Sequence, residues 1–362
     1  MGSTVNFNIH PDIKKAETLH SSFYNDDACF KLSKEKIFER TWQFTGDAHN
    51  LKTSGQNVPI TLLPGFLDEP ILLTYSNNKW QCLSNVCTHR GNILVEHTCN
   101  QTQIRCKYHG RKFNLDGSFV SMPEFEGVAN FPAEKDNLTK VPFAEWQQFL
   151  FASINPLMEL NACITEMKNR MAFLNFDEYQ LNSNLSRDYL VKANWALYCE
   201  NYLEGFHIPF VHHDLNKAID YGSYKTELYR YGVLQIGYSK DNVNVFDLPA
   251  TSPDYGKNVA AYYYWIFPNM MFNFYPWGIS INIVKPIAPS VTKVSFLTYV
   301  HPENNINDAI AALDKVERED EAIVENVQKG LLSKYYTTGR YSPTRETGTH
   351  HFHSLIAEFM MR

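Results

Sequence analysis

Four residues, arranged as two pairs, carry the strongest chemical signal in this sequence. In Asn85–Asn92, NVCTHRGN, one residue separates Cys87 from His89. After sixteen intervening residues, RCKYHGRKF supplies Cys106 and His109 with two residues between them. Each loop continues into a glycine, Gly91 and Gly110, which lets the backbone turn tightly and aim N–H groups at an anion. Two thiolates suit one iron of a [2Fe–2S] cluster and two neutral imidazoles the other, a set that raises the reduction potential above that of an all-cysteine cluster. The same residue types bind zinc, but zinc spacing pairs Cys with Cys and His with His within each loop. Here each loop holds one of each. His97 and Cys99 lie between the loops at spacings that fit neither, and read as surface or packing residues.

A second constellation lies in NWALYCENYLEGFHIPFVHHDL, where Asn194, Asn201, Glu204, His207, His212 and His213 sit among Leu197, Leu203, Phe206 and Phe210. Burying such polar groups without partners is costly, and a metal held by two imidazoles accounts for them. His207 and His212 are five apart, off a common helical face, so a bend at Pro209 is expected to bring their rings together. Periodicity alone does not choose between His212 and His213. Oxygen-activating non-haem iron takes two histidines and one carboxylate with open positions, so the carboxylate must come from elsewhere. VEREDEAIVENVQKGL reads as a helix with an apolar stripe of Ile323, Val324, Val327 and Leu331, ending near Gly330. Asp320 precedes that stripe by three and four residues and shares its face. Glu317 also faces inward and is the alternative, whereas Glu319, Glu321 and Glu325 read as a solvated acidic face.

Both constellations resemble those of the Rieske non-haem iron oxygenases. C-x-H-x16-C-x2-H, with HRG and then YHG, is similar to their Rieske domain. E-x2-H-x4-H, from Glu204 through His207 to His212, is similar to their catalytic iron motif, and its spacing favours His212 over His213. The ED-x4-E-x-VQ-x-GL segment beginning at Glu319 resembles the choline monooxygenase branch, with Asp320 as the iron ligand. Lys107 and Arg111 stand where many members carry proline and tryptophan, flanking the ligands rather than supplying them.

The resemblance runs from about Phe23 to the final HHFHSLIAEF and implies an oxygenase (alpha) component, a homotrimer. Its cofactors would be a [2Fe–2S] Rieske cluster on Cys87, His89, Cys106 and His109, and mononuclear Fe(II) on His207, His212 and Asp320. O2 would be the co-substrate. With no reductase module fused on, electrons would come from NAD(P)H through a separate reductase or ferredoxin. Glu204 would bridge His109 of one subunit to His207 of its neighbour, and Asn201 would line the iron pocket. The implied reaction is hydroxylation or N-demethylation of a small substrate, a quaternary amine or an aromatic compound; cis-dihydroxylation of an arene is the alternative. A Rieske electron carrier without catalytic iron is the competing reading from another class.

The elements that position these residues read as an α+β protein. Residues 1–41 form a helical arm, with Ser33 as a candidate N-cap. Short β-prone runs separated by turn residues make 42–156 a small all-β Rieske domain. Residues 157–362 form a larger catalytic domain, an antiparallel sheet flanked by helices. The run AYYYWIFPNMMFNFYPWGISINIV, Ala261–Val284, is a β-prone aromatic wall of which about half should face inward. It suits a flat ring or, through cation–π attraction, a quaternary ammonium. His350, His351 and His353 resemble a metal tract in composition, but the similarity to the family's tail implies that they belong to a packed C-terminal helix.

Composition narrows the partners. The formal charge of −6 is spread without a basic run, which disfavours nucleic acid and anionic membranes. No stretch approaches the roughly 18 apolar residues a membrane helix needs, and the first residues lack a signal peptide's apolar core. A cytoplasmic protein is expected. The odd set of 7 cysteines argues against a disulfide framework.

Overall fold

The computed structural model describes residues 7–49, 51–301 and 306–362; the first six residues of the expected arm lie outside that set. The chain forms two compact units, Glu39–Pro156 on one side and the residues up to Phe38 with Leu157–Arg362 on the other.

The smaller unit is built from short strands. β1 (Gln43–Asp47), β2 (Gln56–Leu62), β3 (Glu69–Ser76), β4 (Lys79–Ser84) and β5 (Cys99–Asn100) precede β6 (Gln103–Arg105), β7 (Lys112–Asn114), β8 (Phe119–Ser121), β9 (Phe143–Trp146) and β10 (Phe149–Ala152). They pair as three antiparallel sheets, in the orders β4-β3-β2-β5, β1-β10-β9 and β6-β7-β8. Asn77 and Asn78 make the β3–β4 turn with φ of 51° and 58°, the positive values that a two-residue hairpin demands and asparagine tolerates. Leu72, Leu83, Leu94, Ile104 and Phe113 fill the core, and Cys87 and Cys106 are buried in the same cluster. The two cysteines therefore rest on apolar packing rather than on the loops alone.

In the larger unit, α1 (Ser22–Asn25) and α2 (Asp27–Lys36) come first. The N-cap of α2 is Asp26, whose carboxylate accepts from Ala28 N at 2.7 Å. Ser33, expected to be the cap, instead lies inside the helix, buried, with its hydroxyl donating back to Phe30 O at 2.7 Å. Hydroxyl back-bonding of this kind is the ordinary fate of a mid-helix serine. After α3 (Leu160–Arg170) come β11 (Gln180–Leu181) and β12 (Arg187–Val191), α4 (Trp195–Tyr202), α5 (Ile208–Val211) and α6 (His213–Ala218). β13 (Lys225–Tyr229), β14 (Gly232–Tyr238), β15 (Val259–Ile266), β16 (Met270–Tyr275), β17 (Gly278–Ala288) and β18 (Val291–Val300) then form an antiparallel meander, with β11 and β12 both pairing with β18. α7 (Asn307–Gly330) and α8 (Thr347–Met360) end the chain.

The aromatic wall departs from simple alternation. Tyr262, Tyr264, Trp265, Phe272 and Phe274 are all fully buried, because both faces of the central strands are covered. A strand covered on both sides reads as a continuous apolar run. α7 also departs from its predicted face: Ile323 and Val327 are 37% and 44% exposed, while Glu317, Val324, Gln328 and Leu331 are buried. The buried stripe is rotated by about one residue from the apolar one, because inward polar groups find partners. Gln328 Oε1 accepts from Asn194 N at 2.7 Å, and Glu317 accepts from Tyr198. Among the described residues, no helix is long and apolar enough to cross a membrane.

Candidate metal centres

The two ligand loops of the smaller unit share one backbone geometry although their spacings differ. Cys87 N donates to Asn92 O and Gly91 N to Cys87 O; in the second loop, Cys106 N donates to Arg111 O and Gly110 N to Cys106 O. Gly91 and Gly110 have φ of 71° and 74°, the left-handed conformation that L side chains resist. This pairing brings the His89 and His109 rings to a centroid distance of 4.8 Å. Burial and then the neighbouring Cys106 thiol push the Cys87 thiol up, against the pull of the His89 backbone N–H. Burial, the His109 ring and Arg111 lower His89, which keeps the imidazole neutral as a ligand must be. Two close buried thiols and two close imidazoles fit a [2Fe–2S] cluster with Cys and His on separate irons. His109 Nδ1 is buried and has no hydrogen-bond partner among the described residues.

Arg111 is more than a flanking residue. It is 2% exposed, pairs with Asp136 at 2.7 Å and lies 4.9 Å over the Phe119 ring. Asp136 also accepts from Ala133 N at 2.8 Å. A buried guanidinium so partnered braces the second loop from behind, where a large apolar side chain would otherwise be needed. His97 is exposed and Cys99 lies in β5.

The second centre arises from α4 to α6 and α7. Asn194 caps α4, accepting from Ala196 N at 3.0 Å and donating to Tyr24 O and Pro289 O. Its polarity is thus spent on capping. The helix ends at Leu203, and Glu204 begins a tight turn in which Gly205 presses against the Tyr224 ring, where a Cβ would come within 2.8 Å. His207 then caps α5. Pro209 sits in the first turn of α5, where a missing N–H costs little, so it does not supply the expected bend. The break is at His212, with φ −108° and ψ 74° between α5 and α6.

That break places the two rings 5.0 Å apart at 79°. His212 Nε2 lies 3.0 Å from Asp320 Oδ1, and His207 Nε2 lies 3.5 Å from the same oxygen. The ligand atoms of His207, His212 and Asp320 all fall within 4.8 Å of one another. The far side of each ring is anchored: His207 Nδ1 donates to Glu204 Oε1 at 2.6 Å, and His212 Nδ1 to Glu319 Oε2 at 2.7 Å. Carboxylates there fix the tautomer that leaves Nε2 free for a metal. Asn201 Nδ2 donates to Asp320 Oδ1 at 2.6 Å. Burial works to lower His212, but Asp320 and Glu319 more than offset it and raise it. A site that favours a proton on imidazole between two carboxylates favours a metal cation for the same reason. His213 is exposed.

One neighbour escaped the sequence reading. Glu319 sits in an acidic run and has no one-dimensional mark to separate it from Glu321. Glu317, the alternative ligand, is 4% exposed and accepts from Tyr198 Oη at 2.6 Å; it does not join the converging set. Around the three residues lies a cavity lined by tyrosines, amides and apolar side chains such as Ile208, Leu215 and Phe296. The C-terminal histidines are all engaged: His350 with His10 O, His351 with Tyr229 O, and buried His353 with Glu200 at 3.0 Å and Tyr341 at 2.5 Å.

Comparison with known proteins agrees with this geometry. Residues 41–132 match the Rieske [2Fe–2S] domain, and residues 176–362 match the ring hydroxylating alpha subunit (catalytic domain). The chain is 28% identical to the chloroplastic choline monooxygenase of Arabidopsis thaliana over 95% of its own length and 83% of that protein. It is 27% identical to the carnitine monooxygenase oxygenase subunit of Escherichia coli K12, over 98% and 96%. The quaternary ammonium Rieske monooxygenase CntA in complex with L-carnitine superposes with a TM-score of 0.78, at 22% identity and 99% coverage of both chains. Naphthalene 1,2-dioxygenase from Rhodococcus sp. gives 0.72, at 16% identity and coverage of 95% and 94%; at such identities the likeness is one of fold. With both domains matched and the catalytic match covering more than half of its length, the chain belongs to the ring-hydroxylating alpha subunits, oxidoreductases that combine a Rieske [2Fe–2S] domain with a non-haem iron catalytic domain.

Proposed function

We propose that this chain is the terminal oxygenase component of a multi-protein monooxygenase. Cys87, His89, Cys106 and His109 hold the cluster, and His207, His212 and Asp320 hold the mononuclear iron. One observation carries the reading: two imidazole Nε2 atoms and one carboxylate oxygen converge at the cavity, while each Nδ1 is tied to a separate carboxylate. Iron bound there supplies the reductive activation of O2 beside the substrate. The chain's own residues orient and shield. Glu204 and Glu319 hold the rings, Asn201 holds Asp320, and the tyrosines restrict water.

Electrons enter from NAD(P)H through a separate reductase or ferredoxin, and the working form is a homotrimer in which Glu204 couples His109 of one subunit to His207 of the next. The support for that bridge is that Glu204 already accepts from His207, which leaves it beside the metal-facing ring. Hydroxylation or N-demethylation of a small amine is favoured over cis-dihydroxylation of an arene, because choline and carnitine monooxygenases are similar along almost the whole chain. A cytosolic setting belongs to the same proposal, supported by the free thiols of Cys29, Cys82, Cys99, Cys163 and Cys199.

Iron and acid-labile sulfide analysis tests the reading. About three irons and two sulfides per chain support the oxygenase; about two irons support an electron carrier. Asp320→Ala should lower the count by about one iron and abolish turnover, with the cluster absorption intact. Full turnover by that variant would remove Asp320 from the mechanism.

A further inference from the structure

We infer that Glu317 is the anionic counter-group for a positively charged substrate, and so sets the charge class that this cavity accepts. The inference rests on the oxygenase reading and deepens it. Among the described residues, three carboxyl groups line the cavity: Glu204, Asp320 and Glu317. The first two are committed, Glu204 to His207 and the turn that follows it, Asp320 to His212 and Asn201. Glu317 is not. Its Oε2 accepts from Tyr198 at 2.6 Å, and its Oε1 is buried with no hydrogen-bond partner among the described residues.

A carboxyl oxygen removed from water and left unpaired is costly unless something arrives to meet it. The described lining residues offer no such group: among them there is no lysine and no arginine. The other polar lining groups are phenols, amides including Gln235, Asn273 and Asn282, and the two histidines of the converging set. Burial raises Tyr202, Tyr224 and Tyr275 well above their ordinary values, so they stay uncharged. A cation would find both Glu317 and the ring faces of Tyr202, Tyr263 and Tyr275, which pack edge to face at 6.5 and 5.9 Å. Rings so placed suit an ammonium head group.

Glu317 projects from α7 one turn before Asp320. A head group held by Glu317 therefore sits beside the iron ligands, where an attached methyl group would be presented to them. In the absence of a cation, burial first, then the Asp320 and Glu321 charges, push Glu317 up to about 8, against the Tyr198 hydrogen bond and Arg318.

The test is calorimetric binding to the holoenzyme without reductant, so that turnover plays no part. The probes are choline, its uncharged carbon isostere 3,3-dimethyl-1-butanol, and glycine betaine, which adds a carboxylate to the same head group. The wild type should bind choline at least about tenfold more tightly than either of the others. Glu317→Gln, which keeps size and the Tyr198 hydrogen bond, should erase the preference over the isostere while cluster absorption stays unchanged. A wild type that binds the isostere as well as choline, or that binds neither, overturns the assignment. So does a Glu317→Gln variant that keeps the preference. If that variant does not fold, the wild-type comparison decides by itself. The oxygenase reading stands or falls separately, on the iron count.

Discussion

His212 Nδ1 donates to Glu319 Oε2 at 2.7 Å across 107 residues of sequence, while Nε2 of the same ring faces Asp320 Oδ1 at 3.0 Å. Two neighbouring residues of one helix, Glu319 and Asp320, thus grip opposite sides of one imidazole. Glu319→Ala should leave the ring free to turn and weaken iron binding by about 10- to 100-fold. Chelator titration read by iron content, with sulfide as the internal standard, measures this. Unchanged affinity would mean that Glu319 does not hold the ring.

The adjacent histidines should separate cleanly. His212 is 2% exposed and in the converging set, whereas His213 is exposed. His212→Ala should lose about one iron per chain and all product formation; His213→Ala should change either by no more than about twofold. Equal losses in both variants would undo the assignment.

Glu204→Gln should preserve the cluster's visible spectrum yet slow reoxidation of the reduced cluster in a single turnover by about tenfold or more. Stopped-flow absorbance follows it. Wild-type kinetics in the variant would refute the bridge between subunits.

Packing behind the site is equally testable. Gly348 on α8 presses against the Leu203 carbonyl at the end of α4, where an added Cβ would collide with the backbone. Gly348→Ala should cost about 1–3 kcal/mol and displace the Glu204 turn. A lower melting temperature accompanied by weaker iron retention is the expected pair of results; full stability would show that the contact relaxes without cost.

Away from the metals, Arg170 binds Glu166, Glu227 and Asp254 at 2.8, 2.7 and 2.9 Å. Burial works to raise Asp254, but Lys257 and Arg170 outweigh it and hold the carboxyl below its ordinary value. The native state therefore holds that proton less tightly than the unfolded chain. Its stabilisation is present above the ordinary carboxylate range, about pH 4, and is lost as the pH falls through the lower native value. Asp254→Asn should cost about 1–3 kcal/mol at pH 7, a gap that narrows in acid. Thermal unfolding against pH checks the sign; a gap that widens in acid would contradict it.

The two Cys–His loops were legible because their geometry is local. A cysteine, a histidine and a glycine within five residues define a turn whatever surrounds them, and Gly91 and Gly110 adopt the backbone that turn requires. Asp320 was legible for a coarser reason, since helical periodicity placed it on an inward face even though the apolar stripe used to orient α7 was off by a residue. Glu319 was not legible. Its partner lies on another segment, and only the rotation of α7 against the break at His212 decides which member of an acidic run meets the ring. The same holds for Arg111, whose burial depends on Asp136 and on the rings of Phe113, Phe119 and Phe131 closing over it. Spacing along the chain singled out the residues proposed to carry metal chemistry. Tertiary packing decided which carboxylates steer them and which one, Glu317, was left facing the cavity, because hydrogen bonds between distant segments depend on angles that sequence spacing does not encode.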